Sequence, residues 1–174
     1  MYQLGHFGVA LLAYAPVGAG VAMAGSETLA LLGAFVCVSL STLPDCDNDL
    51  PMVDHRGPTH TVLFALIVGA ALAGAVATVG EPILAAADPE LGVEGLEYRP
   101  AYASFFFAVG ILSICSHLAA DVITPMGIRP FWPISNRHYT LRVTRAANPI
   151  ANYLLFGFGL GATALSAWFV VTVG

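Results

Sequence analysis

Six ionisable residues lie in or beside segments that are apolar enough to cross a membrane. Three are histidines and three are aspartates: His6, Asp45, Asp47, His60, His117 and Asp121. Ionisable groups at such depth are costly, and they persist where they meet each other, water or a metal ion. Imidazole nitrogens and carboxylate oxygens without a thiolate suit Zn²⁺, and also Mn²⁺ or Fe²⁺. The residue types therefore predict a site for one or two divalent metal ions, with Zn²⁺ preferred, at a bilayer surface.

The first motif reads Leu-Pro-Asp-Cys-Asp-Asn-Asp at residues 43–49. Its proline and acids end a helix, and alternate aspartates in an extended or turning segment can point to the same side. A solvated acidic turn explains this segment as well as a metal site does. An EF-hand does not, because Leu50 replaces the glycine that the calcium loop requires. The residues leave open whether Asp45, Asp47 or Asp49 is the ligand.

The second motif reads His-Arg-Gly-Pro-Thr-His at residues 55–60. Pro58 suits the first turn of a helix, which places His60 on that turn and His55 before it. Arg56 can bind an anionic oxygen, and His55 can orient a ligand. We predict catalytic roles for Asp47, His55 and Arg56. A basic turn at the membrane edge is the alternative interpretation.

The third motif places His117 and Asp121 at i,i+4 spacing, on one face of a helix and about one turn apart. Two ligands of one metal ion require this arrangement, although a buried His–Asp hydrogen bond would explain the pair alone. His6, near the start of the first apolar segment, is a weaker candidate ligand. His138 follows an arginine in a polar loop and is more typical of a surface histidine.

The composition indicates an integral membrane protein. Of the 174 residues, 57% are hydrophobic and 10% are charged, whereas soluble domains carry charge on about a quarter of their residues. About 20 apolar residues in a helix cross a bilayer, and we predict a single all-α domain, residues 1–174, with about five such helices. Pro16 is expected to kink or interrupt the first, and Gly157 and Gly161 to give the last a surface for close packing. The predicted spans are residues 4–24, 27–43, 59–80, 101–124 and 150–173.

Charges in the loops predict the orientation. The loop after the third span carries five acids and one arginine, whereas the loop after the fourth carries Arg129, Arg137, Arg142 and Arg145 without an acid. Arginine-rich loops face the cytoplasm, so the N-terminus is predicted there as well. This orientation brings all the candidate ligands to the cytoplasmic face of the membrane, a convergence that scattered structural polar residues would not require.

The motifs together resemble the LexA-regulated, membrane-bound metal-dependent hydrolase family. The resemblance rests on Gly5-His6, on Leu43 to Asp47, on His55 to His60, and on His117 to Gly127, running on to Trp132-Pro133. That family is distantly similar to zinc-dependent phospholipase C and P1 nuclease. The similarity implies that His60, His117, Asp121 and Asp45 or Asp47 hold one metal. It also implies that His6 holds a second metal, with Asp121 bridging.

The resulting hypothesis is hydrolysis of a phosphoester, in a lipid or another membrane-associated substrate, by water that a metal activates at the cytoplasmic face. The alternatives are a metal-binding membrane protein without catalysis and a transporter. A transporter would place its ligands near mid-membrane, often in repeated halves, and neither feature is present in the sequence. Nucleic acid is not expected as a partner, because the basic side offers too few cations to follow a phosphate backbone.

Overall fold

The computed structural model describes residues 1–49, 56–80 and 95–173. This part of the chain forms five α-helices, which we number in chain order: α1 (Gln3–Met23), α2 (Glu27–Leu40), α3 (Val62–Ala75), α4 (Gly95–Val122) and α5 (Pro149–Val173). The described residues form no strand, only an isolated antiparallel bridge between Ile128 and Tyr139. The predicted all-α class is confirmed.

Four of the helical segments are long and apolar enough to cross a membrane: Gln3–Met23, Glu27–Asn48, Pro100–Val122 and Pro149–Val173. The fifth, α3, has 14 residues and a length of about 21 Å, which is less than the roughly 30 Å of a bilayer core. A π-helical turn, Val76–Gly80, continues it. The predicted bundle of about five membrane helices is therefore confirmed, with α3 as its short member.

Two proline-containing segments differ from a simple reading of the sequence. The first helix runs unbroken across Pro16, as membrane helices can when neighbouring groups satisfy the freed backbone. Pro58 does not begin the long helix. It begins a separate 3₁₀ turn, Pro58–His60, and α3 starts after Thr61, whose side chain accepts a hydrogen bond from the Phe64 amide. His60 therefore lies just before α3 rather than on its first turn.

The central helix of the bundle is α4, which packs against both α3 and the α1–α2 pair. On one side, Ile114 and Leu118 contact Ala65 and Val68 of α3. On the other, Val109 joins Ala10, Tyr14 and Cys37 in a second cluster. The Ser113 hydroxyl also donates to the Cys37 carbonyl over 2.6 Å. These contacts hold α4 at a height in the bundle that places His117 and Asp121 between the segments that carry Asp45 and His60.

Helices α1 and α5 approach each other closely at glycines. A Cβ atom at Gly159 would collide with the backbone of Gly8, so the two backbones leave no room for a side chain. The prediction that Gly157 and Gly161 form the packing surface is wrong for the described ranges, where no neighbouring atom lies within 4 Å of a Cβ placed at either glycine. The glycine that makes the contact lies between them in the sequence, on a different face of the helix.

Candidate metal centre

Four buried or half-buried side chains converge where the ends of the helices meet. Asp45 lies on the 3₁₀ segment Leu43–Asp49 after α2, His60 on the turn before α3, and His117 and Asp121 on the last turns of α4. One ligand atom from each residue lies within 4.8 Å of all the others. His60, His117 and Asp121 are fully buried, whereas the Asp45 side chain is 25% exposed. The group is thus open on the Asp45 side.

The distances within the cluster approach those around a tetrahedral ion. The Nε2 atom of His60 lies 3.1 Å from His117 Nε2 and 3.3 Å from Asp121 Oδ2. His117 Nε2 lies 3.5 Å from the same Asp121 oxygen, and both nitrogens lie 3.6 Å from Asp45 Oδ1. A tetrahedral zinc ion, about 2.0–2.1 Å from each ligand, separates its ligands by about 3.3–3.4 Å. The donors are therefore spaced for one such ion.

Hydrogen bonds outside the cluster assign the tautomers of the two histidines. His117 Nδ1 lies 2.7 Å from the Ser41 carbonyl, which can only accept. The Thr59 hydroxyl donates to Asp47 Oδ2, so its oxygen can only accept from His60 Nδ1, 3.0 Å away. Each imidazole therefore carries a proton on Nδ1 and turns Nε2 inward, the arrangement in which a histidine can bind a metal through Nε2.

This arrangement requires a cation at the centre. Two inward lone pairs 3.1 Å apart repel each other unless a proton or a metal ion lies between them. Asp121 Oδ2, which faces both nitrogens, is buried and has no hydrogen-bond partner among the described residues. A shared proton would satisfy the two imidazoles but not the two converging carboxylates. The complete donor set therefore fits a divalent metal better than it fits a His–Asp network.

Asp47 lies behind His60 rather than in the cluster of four. Its Oδ2 accepts hydrogen bonds from the Arg56 amide and the Thr59 hydroxyl, over 3.0 and 2.7 Å. The same oxygen lies 3.2 Å from His60 Nδ1. A carboxylate in this position orients a metal-binding imidazole and raises its basicity. The turn of the 3₁₀ segment thus gives Asp45 and Asp47 different surroundings.

Arg56 is buried beside the same cluster and links three segments. Its Nη2 donates to Asp121 Oδ1 over 2.8 Å, and its Nη1 donates to Thr124 Oγ1 and the Gly127 carbonyl, both over 3.0 Å. The Arg56 backbone has a φ of 62°, which is uncommon for a residue other than glycine. Such strained conformations concentrate at functional sites. Arg56 therefore holds Asp121 through Oδ1, while Oδ2 faces His60 and His117.

The remaining predicted residues have different locations. His6 is fully buried and its ring stacks on His117, with centroids 3.8 Å apart. Its Nε2 lies 3.7 Å from Asp45 Oδ2 and 3.9 Å from Asp121 Oδ1, so a second metal held by His6 stays a prediction. His138 is outside the cluster and its Nε2 lies 2.7 Å from the Met126 carbonyl. His55 lies outside the described residues.

The sequence interpretation missed several residues that position the site. Thr59 and Thr124 stand inside the quoted motifs, but a threonine next to a histidine or proline gives no specific signal. The Ser41 carbonyl is a backbone group, so the residue type at this position does not reveal its role. Asn152 is 1% exposed, and its side chain accepts from the Tyr2 amide and donates to the Ala146 carbonyl. The sequence signal that pointed to Asn152 was a single amide side chain within an apolar span.

No curated protein and no solved structure matches the chain. A family model described as YdjM inner membrane protein matches residues 1–173. The description confirms a membrane protein and names no hydrolase activity, no LexA regulation and no similarity to phospholipase C or P1 nuclease, so those parts of the resemblance stay predictions. Because the match covers residues 1–173, the chain belongs to the YdjM inner membrane protein family.

Proposed function

We propose that this protein is a membrane-bound, metal-dependent hydrolase that cleaves a phosphoester in a lipid or another membrane-associated substrate. Asp45, His60, His117 and Asp121 would hold one divalent ion, with Zn²⁺ preferred. The observation that carries the proposal is the convergence of two imidazole Nε2 atoms and two carboxylate oxygens, one atom from each residue lying within 4.8 Å of all the others. A bound divalent metal supplies Lewis acidity and lowers the pKa of water to about 7, which provides a nucleophile at neutral pH.

The surrounding residues have separate tasks in this proposal. Asp47 keeps the proton of His60 on Nδ1 and fixes the angle of the ring. The Ser41 carbonyl does the same for His117. Arg56 holds Asp121 in place through Nη2, and its remaining N–H groups can bind an oxygen of the substrate and stabilise the charge that develops on it.

The location of the cluster supports a membrane substrate at the cytoplasmic face. Its residues lie at the ends of the candidate spans Glu27–Asn48 and Pro100–Val122 rather than at mid-membrane, which favours an enzyme of the bilayer surface over a transporter. The loop that carries Arg56 adjoins the same end of the bundle, because Arg56 contacts the cluster. Loops of this kind lie in the cytoplasm, and lipid headgroups are the substrates that a site at this depth meets first.

The test is hydrolysis of defined phospholipids by the purified protein in nanodiscs, after loading with zinc or manganese. Products are identified by mass spectrometry. We expect products with wild type and with His138→Ala, which removes a histidine outside the cluster, and none with His117→Ala or after chelation. Wild type that retains its metal but leaves phosphomonoesters, phosphodiesters and amides uncleaved would overturn the proposal and favour a non-catalytic metal-binding protein.

A further inference from the structure

An open cavity of about 580 Å³ adjoins the exposed side of the metal cluster. Asp45 and Arg56 line it, as does Arg145 from the segment before α5. Asp45 is the least buried of the four candidate ligands, so a molecule in the cavity meets the cluster at Asp45. Arg145 was expected only to set the orientation of its loop, and neither the motifs nor the proposed function gives it a role.

The charges that line the cavity favour an anion. With neutral histidines and one divalent ion, the carboxylates of Asp45, Asp47 and Asp121 are balanced by the ion and by Arg56. The amino group of Met1, which also lines the cavity, adds a positive charge 3.2 Å from Asp121 Oδ1. Arg145 adds a positive charge, since arginine stays protonated in proteins. It is exposed and forms no ion pair with a carboxylate in the described ranges. The cavity therefore carries an excess of positive charge when the metal is bound.

Arg56 also retains unused donors. Three of its hydrogen bonds account for Nη1 and one N–H of Nη2, and arginine offers five donors in a planar fork. Its Nε atom is buried and has no acceptor among the residues that the structure describes. The second N–H of Nη2 is left to bind an oxyanion in the cavity, and guanidinium groups bind phosphate with high geometric specificity.

One part of the cavity wall is apolar. Pro125, Met126 and Ala146 line it, and the Met126 side chain is 62% exposed. This wall lies between the end of the candidate span Pro100–Val122 and the start of Pro149–Val173. The cavity thus combines an anion-binding centre with an apolar wall at the depth of lipid headgroups.

We infer that Arg145 and Arg56 form a subsite for the phosphate of an anionic membrane lipid, next to the metal cluster. The inference rests on the proposed function, because it names the substrate class of the same site. Arg145 contacts the phosphate from the open side of the cavity and Arg56 from the buried side. The apolar wall accommodates the part of the lipid nearest to the phosphate.

The test is equilibrium binding to the full chain in detergent, with dihexanoyl phosphatidic acid and inorganic phosphate as probes, at fixed ionic strength and with chelator present or absent. Arg145→Gln is compared with Arg129→Gln, which removes the same charge from the same loop outside the cavity. Removing a charge-assisted hydrogen bond should weaken binding of the lipid probe about tenfold in Arg145→Gln. Arg129→Gln should bind like wild type, and the lipid should bind more tightly than inorganic phosphate.

Two results would overturn the inference. Equal binding by the two variants would remove Arg145 from the site, and equal binding of both probes to wild type would show that a free phosphate, not a lipid, is the ligand. Metal content and lipid hydrolysis, measured on the same samples, separate the two proposals. Metal-loaded wild type that binds the lipid probe but leaves phospholipids uncleaved defeats the proposed function, while the difference between the two variants, measured with metal loaded, decides the role of Arg145.

Discussion

Replacing Asp47 by asparagine should weaken metal binding without removing a metal ligand. In the structure the Asp47 Oδ2 atom accepts from the Arg56 amide and the Thr59 hydroxyl and lies 3.2 Å from His60 Nδ1. Asparagine keeps the shape but loses the charge. If its amide nitrogen faces His60, two N–H groups oppose each other, and the ring is driven towards the tautomer that carries its proton on Nε2.

The expected loss of metal affinity follows from the position of Asp47 outside the group of four candidate ligands. Loss of a partner that orients a metal-binding histidine costs about 10–100-fold in metal affinity, which corresponds to about 1.4–2.7 kcal/mol. Asp45→Asn, in the same 3₁₀ segment, replaces a charged ligand oxygen by a weaker, neutral one and should cost more. Asp45 and Asp47 directly flank Cys46, so the two variants are closely matched in position and in chemistry.

The assay is competition for zinc against a chromophoric chelator, followed by Co²⁺ substitution, whose visible spectrum reports the coordination of the ion. We expect Asp47→Asn to bind more weakly than wild type but with an unchanged Co²⁺ spectrum. Asp45→Asn should change the spectrum. Wild-type affinity in Asp47→Asn would refute the orienting role. A spectrum altered as in Asp45→Asn would make Asp47 a ligand and refute the assignment of the four donors.

Three further predictions concern packing and the metal. Gly159→Ala should lower the thermal unfolding midpoint in detergent, because the added Cβ collides with the Gly8 backbone, whereas Gly157→Ala should not lower it. Equal midpoints for the two variants would contradict the α1–α5 contact. Acid should release the metal before the protein unfolds, because His60 and His117 bind metal only when their Nε2 atoms are unprotonated; retention of metal until unfolding would contradict this. Chelation should destabilise wild type, by about 2.7 kcal/mol if the metal was present at 100 times its Kd, and a variant lacking His117 should not respond.

The membrane helices could be predicted from the sequence because their signal is a long apolar run, and a bilayer demands such runs. The predicted last span, residues 150–173, differs from α5 by a single residue at its start. The third span was predicted as residues 59–80, whereas the α-helix is Val62–Ala75. Composition does not distinguish an α-helix from the 3₁₀ and π turns that flank it.

The candidate site was predictable to the level of residue types and helix faces. The i,i+4 spacing places His117 and Asp121 together because α-helix geometry allows little else. The choice between Asp45 and Asp47 was not predictable, since it depends on how a short 3₁₀ segment turns its side chains. Arg145 lies 89 residues from Arg56 along the chain. Its segment reaches the cavity through contacts that the sequence does not reveal, among them hydrogen bonds from the Leu141 and Val143 amides to the Val122 and Ile123 carbonyls.

The central claim is that the four converging side chains hold a metal ion. The most direct test is metal content per protein, by plasma mass spectrometry, on detergent-purified wild type, His117→Ala and His138→Ala. We predict about one equivalent of zinc or manganese in wild type and in His138→Ala, and none in His117→Ala that remains monodisperse. A wild-type protein that is free of metal and cannot be reloaded, with His117→Ala equally well folded, would contradict the claim and leave a buried network of histidines and aspartates.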